Sequence, residues 1–142
     1  ATFIGLEPNA EACAVGARQH PGVRFVNGAV DDLAVGTAGL PRRLDVCLIS
    51  RVLMILPPDE AARILTLLGD HTARLVICDD IFNTDGGETA IRTPSDFIFL
   101  HPFAKLLDAA GIDLTATVMA EVPDRECTGL LVAENRDPPP VT

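Results

Sequence analysis

Apolar and polar positions along this chain alternate between short apolar runs and stretches of helical period. Residues 2–6 are an apolar run that reads as a buried strand, and the run ends in an acid, Glu7. Asn9 is a good N-cap with Glu11 in the turn beyond it, so the alanine-rich stretch from Ala10 to Gln19 predicts a helix. His20-Pro21-Gly22 breaks that helix, and Val23-Arg24-Phe25-Val26 predicts a second strand ending at Asn27-Gly28. Residues 34–43 hold three glycines or prolines and two arginines, the composition of a loop or a ragged helix. Leu44 to Ser50 is a third strand. Its run Cys47-Leu48-Ile49 is apolar throughout, as a central parallel strand covered on both faces would be.

Pro57-Pro58-Asp59-Glu60 carries the prolines and acids of a first helical turn. Ala61, Ile64, Leu65 and Leu68 then recur at helical spacing, and Gly69-Asp70 reads as the stop. Ala73 to Asp80 predicts a fourth strand finishing in two acids. Residues 83–96 are polar, with Asp85-Gly86-Gly87 as a turn, and read as a long loop. Pro102 to Ala110 predicts a helix with Phe103, Leu106, Leu107 and Ala110 on one face and Gly111 as its C-cap. Ile112 to Val122 and Thr128 to Ala133 are the last strands, paired antiparallel through a tight turn around Pro123-Asp124-Arg125. The alternation of strands and helices predicts an α/β fold: a mostly parallel sheet, helices on both faces, and a closing hairpin that adds an antiparallel strand.

For 142 residues one domain is expected, residues 1–136, followed by a proline-rich tail at 137–142. Tyrosine and tryptophan are absent, so the core must rest on aliphatic residues and six phenylalanines. The net charge of −9 argues against nucleic acid or an anionic membrane as the main partner. No apolar run approaches the ~18 residues of a membrane span, and no signal peptide is recognisable. Cys13, Cys47, Cys78 and Cys127 lack any C-x-x-C spacing, which predicts reduced thiols in a cytoplasmic protein and no zinc site.

A carboxylate at the tip of a parallel strand is well placed to take both hydroxyls of a ribose; alternatively Glu7 caps the next helix or meets solvent. Four stretches in this order resemble the class I S-adenosylmethionine-dependent methyltransferases, over Phe3 to Glu134. Ile4-Gly5-Leu6-Glu7-Pro8-Asn9 is similar to that family's second strand, whose terminal acid binds the ribose. Val26-Asn27-Gly28-Ala29-Val30-Asp31-Asp32-Leu33 is similar to the segment that lies along the adenine. Leu44 to Pro57 is similar to the fourth strand and the loop beside the methionine part, and Phe103 to Ile112 to the helix and glycine before the sixth strand.

The resemblance implies a Rossmann-like methyltransferase fold, S-adenosylmethionine as cofactor and a small-molecule methyl acceptor. Its cofactor-binding positions fall on Glu7, Pro8, Gly28, Ala29, Val30, Asp31, Ser50, Arg51 and Val52. Val30 would offer a backbone N–H to the adenine, and Asp31 or Asp32 would receive its exocyclic amine. Arg51 would meet a carboxylate of cofactor or substrate, or else a surface acid. His101, at the entrance to the late helix, is the candidate to take a proton from an acceptor hydroxyl; the alternative is a capping or surface histidine. Adjacent acids in a strand point to opposite sides, so Asp79 and Asp80 make a poor metal site and none is expected.

This sequence departs from the family in three ways. The family's first strand and helix, with the glycine-rich loop that cradles the methionine part, would precede Ala1. Ala29 stands where relatives often carry an acid, and Met54 and Ile55 where many place histidines or polar groups. Since the first strand lies between the second and fourth, three arrangements are open: further sequence upstream, a strand supplied by a second copy or a partner chain, or direct pairing in a contracted sheet. Besides methyl transfer, a degenerate module acting as a non-catalytic binding or oligomerisation partner remains open, as does a dinucleotide-binding fragment.

Overall fold

The computed structural model describes residues 1–36, 40–79, 90–91, 98–122 and 125–138, with backbone alone for 79, 90–91, 119–122 and 125–128. They form two compact units, Ala1–Arg42 and Arg43–Thr142.

In the first unit, β1 (Phe3–Glu7) and β2 (Val23–Asn27) pair in parallel, in register from Phe3 opposite Val23 to Glu7 opposite Asn27. Parallel neighbours need a crossover, and α1 (Ala10–Gln19) supplies it. The helix starts where the sequence places it, because the Asn9 side chain accepts from the N–H groups of Glu11 and Ala12 at 2.9 and 3.1 Å. The Phe25 ring lies against both elements: a Cβ on Gly5 or Gly16 would come within 2.8 or 2.5 Å of it. A short helix, α2 (Asp31–Val35), follows β2 and ends at Gly36 in the left-handed region.

The second unit runs β3 (Leu44–Ser50), a 3₁₀ turn (Leu53–Ile55), α3 (Pro58–His71), β4 (Thr72–Asp79), β5 (Ala90–Ile91), β6 (Phe99–Leu100), α4 (Phe103–Ala109), β7 (Ile112–Val122) and β8 (Arg125–Asn135). Its main sheet has the order β3-β4-β8-β7. β3 and β4 are parallel, and β8 is antiparallel to both its neighbours, the hairpin that the sequence predicts. Ile49, Leu75, Ile77, Leu131 and Ala133 form the buried face of this sheet, and α3 and α4 contribute Ala61, Leu65, Leu68, Phe103 and Leu107 to the core.

Three details differ from the sequence reading. β3 is an edge strand, and only one of its faces is covered: Val46 and Leu48 are 54% and 65% exposed. Gly69-Asp70 does not stop α3, which runs on to His71. A Cβ at Gly69 would lie 3.0 Å from the Ala110 carbonyl, so this glycine serves the close approach of α3 to the end of α4. Ala90–Ile91, inside the expected loop, pairs antiparallel with Phe99–Leu100. The turns expected at Asp85-Gly86-Gly87 and Pro123-Asp124, and the last prolines of the tail, lie outside the described residues.

Candidate functional site

In an open α/β sheet, ligands gather beyond the carboxyl ends of the parallel strands. In the first unit those ends are Glu7 and Asn27, directly opposite each other. The Glu7 carboxylate accepts from the Asn9 N–H through Oε1 at 2.8 Å, which fixes one oxygen at the head of α1. The sequence reading weighed helix capping against ribose binding; Oε1 is engaged at the helix start, and Oε2 has no protein donor among the described residues. Asn27 Nδ2 donates to the main-chain oxygens of Glu7 and Pro8, both at 2.9 Å, and the Gly28 N–H donates to the Glu7 carbonyl at 3.2 Å.

Beyond Asn27 the chain turns at once into α2. The Asp32 carboxylate accepts from the Ala29 N–H at 2.8 Å, while the N–H groups of Asp32 and Leu33 donate to the carbonyls of Ala29 and Val30. The two neighbouring acids are thereby sorted: Asp32 closes the turn and Asp31 is exposed on the first turn of α2. A Cβ at Gly28 would lie 2.5 Å from Asp32 Oδ2 and would displace that carboxylate from the Ala29 N–H. Gly28→Ala is expected to destabilise the protein by about 1 kcal/mol, the net worth of that hydrogen bond. Urea unfolding checks this, with Gly22→Ala, where nothing lies within 4 Å of the added carbon, as the silent control. The first unit thus brings together Glu7, Pro8, Gly28, Ala29, Val30 and Asp31.

In the second unit the corresponding strand end is Ser50, opposite Cys78 in β4. Arg51 follows with φ of 57°, a left-handed conformation that a side chain resists, and its N–H donates to the Cys78 carbonyl at 2.9 Å. The chain then passes through Val52 into the 3₁₀ turn, whose Leu53 and Met54 are buried. Thus Ser50, Arg51 and Val52 share one short exposed segment.

His101 sits behind this segment and has no exposed surface. Its Nε2 lies 2.9 Å from the Leu53 carbonyl and 3.2 Å from the Leu56 carbonyl. Carbonyl oxygens only accept, so Nε2 carries the proton and donates to both. Phe99 stacks on the ring and Phe103 meets it edge-on, at centroid distances of 5.9 and 5.8 Å. Burial holds its pKa below the ordinary 6.5, against the opposing pull of the two carbonyls, so the ring is neutral near pH 7. It is therefore neither a surface nor a capping histidine. Burial likewise pushes the Cys47 thiol up to about 11, which keeps it protonated and unreactive.

The sequence reading missed Asn27 as a functional position and missed the 3₁₀ turn. An asparagine at the end of a strand, where such residues are disfavoured, was the available signal for the first.

No protein-family profile matches the sequence, and no curated protein matches it. Solved structures do. Magnesium protoporphyrin IX methyltransferase from Synechocystis PCC 6803, solved with bound S-adenosylmethionine, is 14% identical with a TM-score of 0.70, over 95% of this chain and 60% of that one. A methyltransferase from Methanosarcina mazei is 13% identical with a TM-score of 0.70, over 94% of this chain and 82% of that one. The Burkholderia thailandensis 1,6-didemethyltoxoflavin-N1-methyltransferase, solved with 1,6-didemethyltoxoflavin and S-adenosylhomocysteine, is 18% identical with a TM-score of 0.67, over 94% of this chain and 61% of that one. This chain has the class I S-adenosylmethionine-dependent methyltransferase fold. It spans less than two thirds of the Synechocystis and Burkholderia proteins, 60% and 61% of their lengths. No described helix is long and apolar enough to cross a membrane.

Proposed function

We propose that this protein binds S-adenosylmethionine, with the carboxyl ends of β1 and β2 taking its ribose and adenine, and serves methyl transfer to a small-molecule acceptor. The observation that carries the reading is the strand-end carboxylate of Glu7 beside the Gly28–Asp31 turn, on a methyltransferase fold. Glu7 Oε2 would accept from the ribose hydroxyls, a charge-assisted contact. The Val30 N–H and the exposed Asp31 carboxylate would address the adenine, with Pro8, Gly28 and Ala29 lining its edge. By the family resemblance, Ser50, Arg51 and Val52 are the second unit's own candidates for the methionine part. When bound, the cofactor supplies a methyl group on a sulfonium, transferred in line to a nucleophile with a thioether as leaving group. Orientation supplies much of such a rate enhancement, and no side chain need act as a base.

His101, the sequence candidate for that base, has a role in this reading that follows from its burial. It holds the turn after Arg51 in place and does not exchange protons with an acceptor. Arg51 acts here through its main chain. Arg51→Gly is therefore expected to leave cofactor affinity unchanged, which titration calorimetry checks. A large loss of affinity would instead assign the guanidinium to a ligand carboxylate.

The direct test is calorimetry with S-adenosylmethionine and S-adenosylhomocysteine, on this chain alone and with an upstream segment or partner chain added; absence of binding under both conditions overturns the proposal. The exposed Val46 and Leu48 on an edge strand favour one second reading, a module that associates with another chain. Sedimentation of the purified protein separates a monomer from such an assembly. The free thiols of Cys13, Cys47 and Cys78 support placing the protein in the reducing cytoplasm.

A further inference from the structure

The geometry points to Asn27 as a positioning residue that aims the Glu7 carboxylate and thereby sets the preference for a ribose over a deoxyribose ligand. The inference rests on the proposed cofactor site and adds to it a residue that the sequence motifs do not mark. Asn27 ends β2 and Glu7 ends β1, opposite one another in the ladder. Past this point the Gly28 N–H still reaches the Glu7 carbonyl at 3.2 Å, while β1 turns away into α1 through Pro8. The Asn27 amide takes over at that place. One nitrogen, Nδ2, donates to two consecutive carbonyls, those of Glu7 and Pro8, each at 2.9 Å. Pro8 has no N–H of its own with which to tie the turn back to β2.

The consequence for Glu7 is specific. Its side chain is held at Oε1 by the Asn9 N–H at 2.8 Å, two residues further along the same turn. Both the Cα of Glu7 and the donor that holds its carboxylate therefore depend on the path of residues 7–9, which the Asn27 amide pins to β2. With that pin removed, the Glu7 carbonyl keeps the Gly28 N–H at 3.2 Å and water can solvate the Pro8 carbonyl, since Asn27 is exposed and its bonds lie at the surface. The fold then loses little, whereas the direction of Oε2 is no longer fixed. A diol needs a carboxylate in one orientation to accept from both hydroxyls, so loss of aim falls on the hydroxyl contacts and spares the rest of the ligand.

The experiment measures the dissociation constants of S-adenosylhomocysteine and its 2′-deoxyribose analogue for the wild-type protein, Asn27→Ala, Asn27→Asp and Glu7→Ala. The wild type should prefer the ribose ligand by roughly tenfold or more, the size of one hydrogen bond to a charged acceptor. Glu7→Ala should abolish that preference. Asn27→Ala, with an unchanged circular dichroism spectrum, should reduce it to about threefold or less by weakening the ribose ligand alone. Asn27→Asp keeps the shape but presents an acceptor to two carbonyls, and should lower the preference at least as far; it also serves if the alanine variant folds poorly. A full ribose preference in folded Asn27 variants, alongside its loss in Glu7→Ala, overturns the inference and leaves the cofactor site standing. Absence of binding or of ribose preference in the wild type overturns the site itself, and the inference with it.

Discussion

Glu7→Ala should weaken binding of S-adenosylhomocysteine about 10- to 100-fold while leaving the fold intact. The magnitude follows from losing hydrogen bonds to a charged acceptor, about 1.5–3 kcal/mol, at about 1.4 kcal/mol for each tenfold. The stability cost should be below about 1 kcal/mol, because the only protein donor to this carboxylate among the described residues is the exposed Asn9 N–H. The Asn9 cap on α1 persists without Glu7, since its own side chain makes both capping bonds. Titration calorimetry gives the affinity and a thermal melt gives the stability. An unchanged affinity would remove the ribose assignment.

The largest expected loss of stability is at His101. His101→Ala deletes a fully buried ring and leaves the Leu53 and Leu56 carbonyls without their donor. Large-to-small changes of an aromatic of this size cost about 3–5 kcal/mol, against a total stability of about 5–15 kcal/mol for a domain. His101→Gln keeps an N–H donor and should recover part of that loss; chemical denaturation of both variants checks the order. The same residue sets an acid limit. Its folded pKa is depressed below 6.5, so the unfolded chain binds the proton more readily. Its contribution is complete above about pH 6.5 and is lost as pH falls from there through the folded value. Unfolding midpoints at about pH 7.5 and about pH 5.5 should show this acid loss in the wild type and a smaller one in His101→Gln.

Local signals in the sequence were decisive where the physics is local. Asn9 caps α1 by bonds to residues two and three positions away, and the apolar runs of β3 and β7 were read at their observed limits. The strand-end position of Glu7 was legible for the same reason. What was not legible depends on distant partners. The environment of His101 is made by carbonyls 48 and 45 residues earlier, which no local pattern reveals. Gly69 looked like a helix stop because its contact with Ala110 lies across two elements. An apolar run identifies a strand but not what covers it, so the open face of β3 at Val46 and Leu48 had to come from the structure. Asp31 and Asp32 were equivalent in the sequence and became distinct only when one of them closed the turn at Ala29.

The central claim is that the carboxyl ends of β1 and β2 form the ribose and adenine part of the proposed cofactor site. The most direct test is a backbone amide NMR titration of the ¹⁵N-labelled protein with S-adenosylhomocysteine. The site described here predicts saturable shifts concentrated at Glu7 and Gly28 to Asp31. Saturable shifts confined to other residues, or no shifts at any ligand concentration, would contradict it.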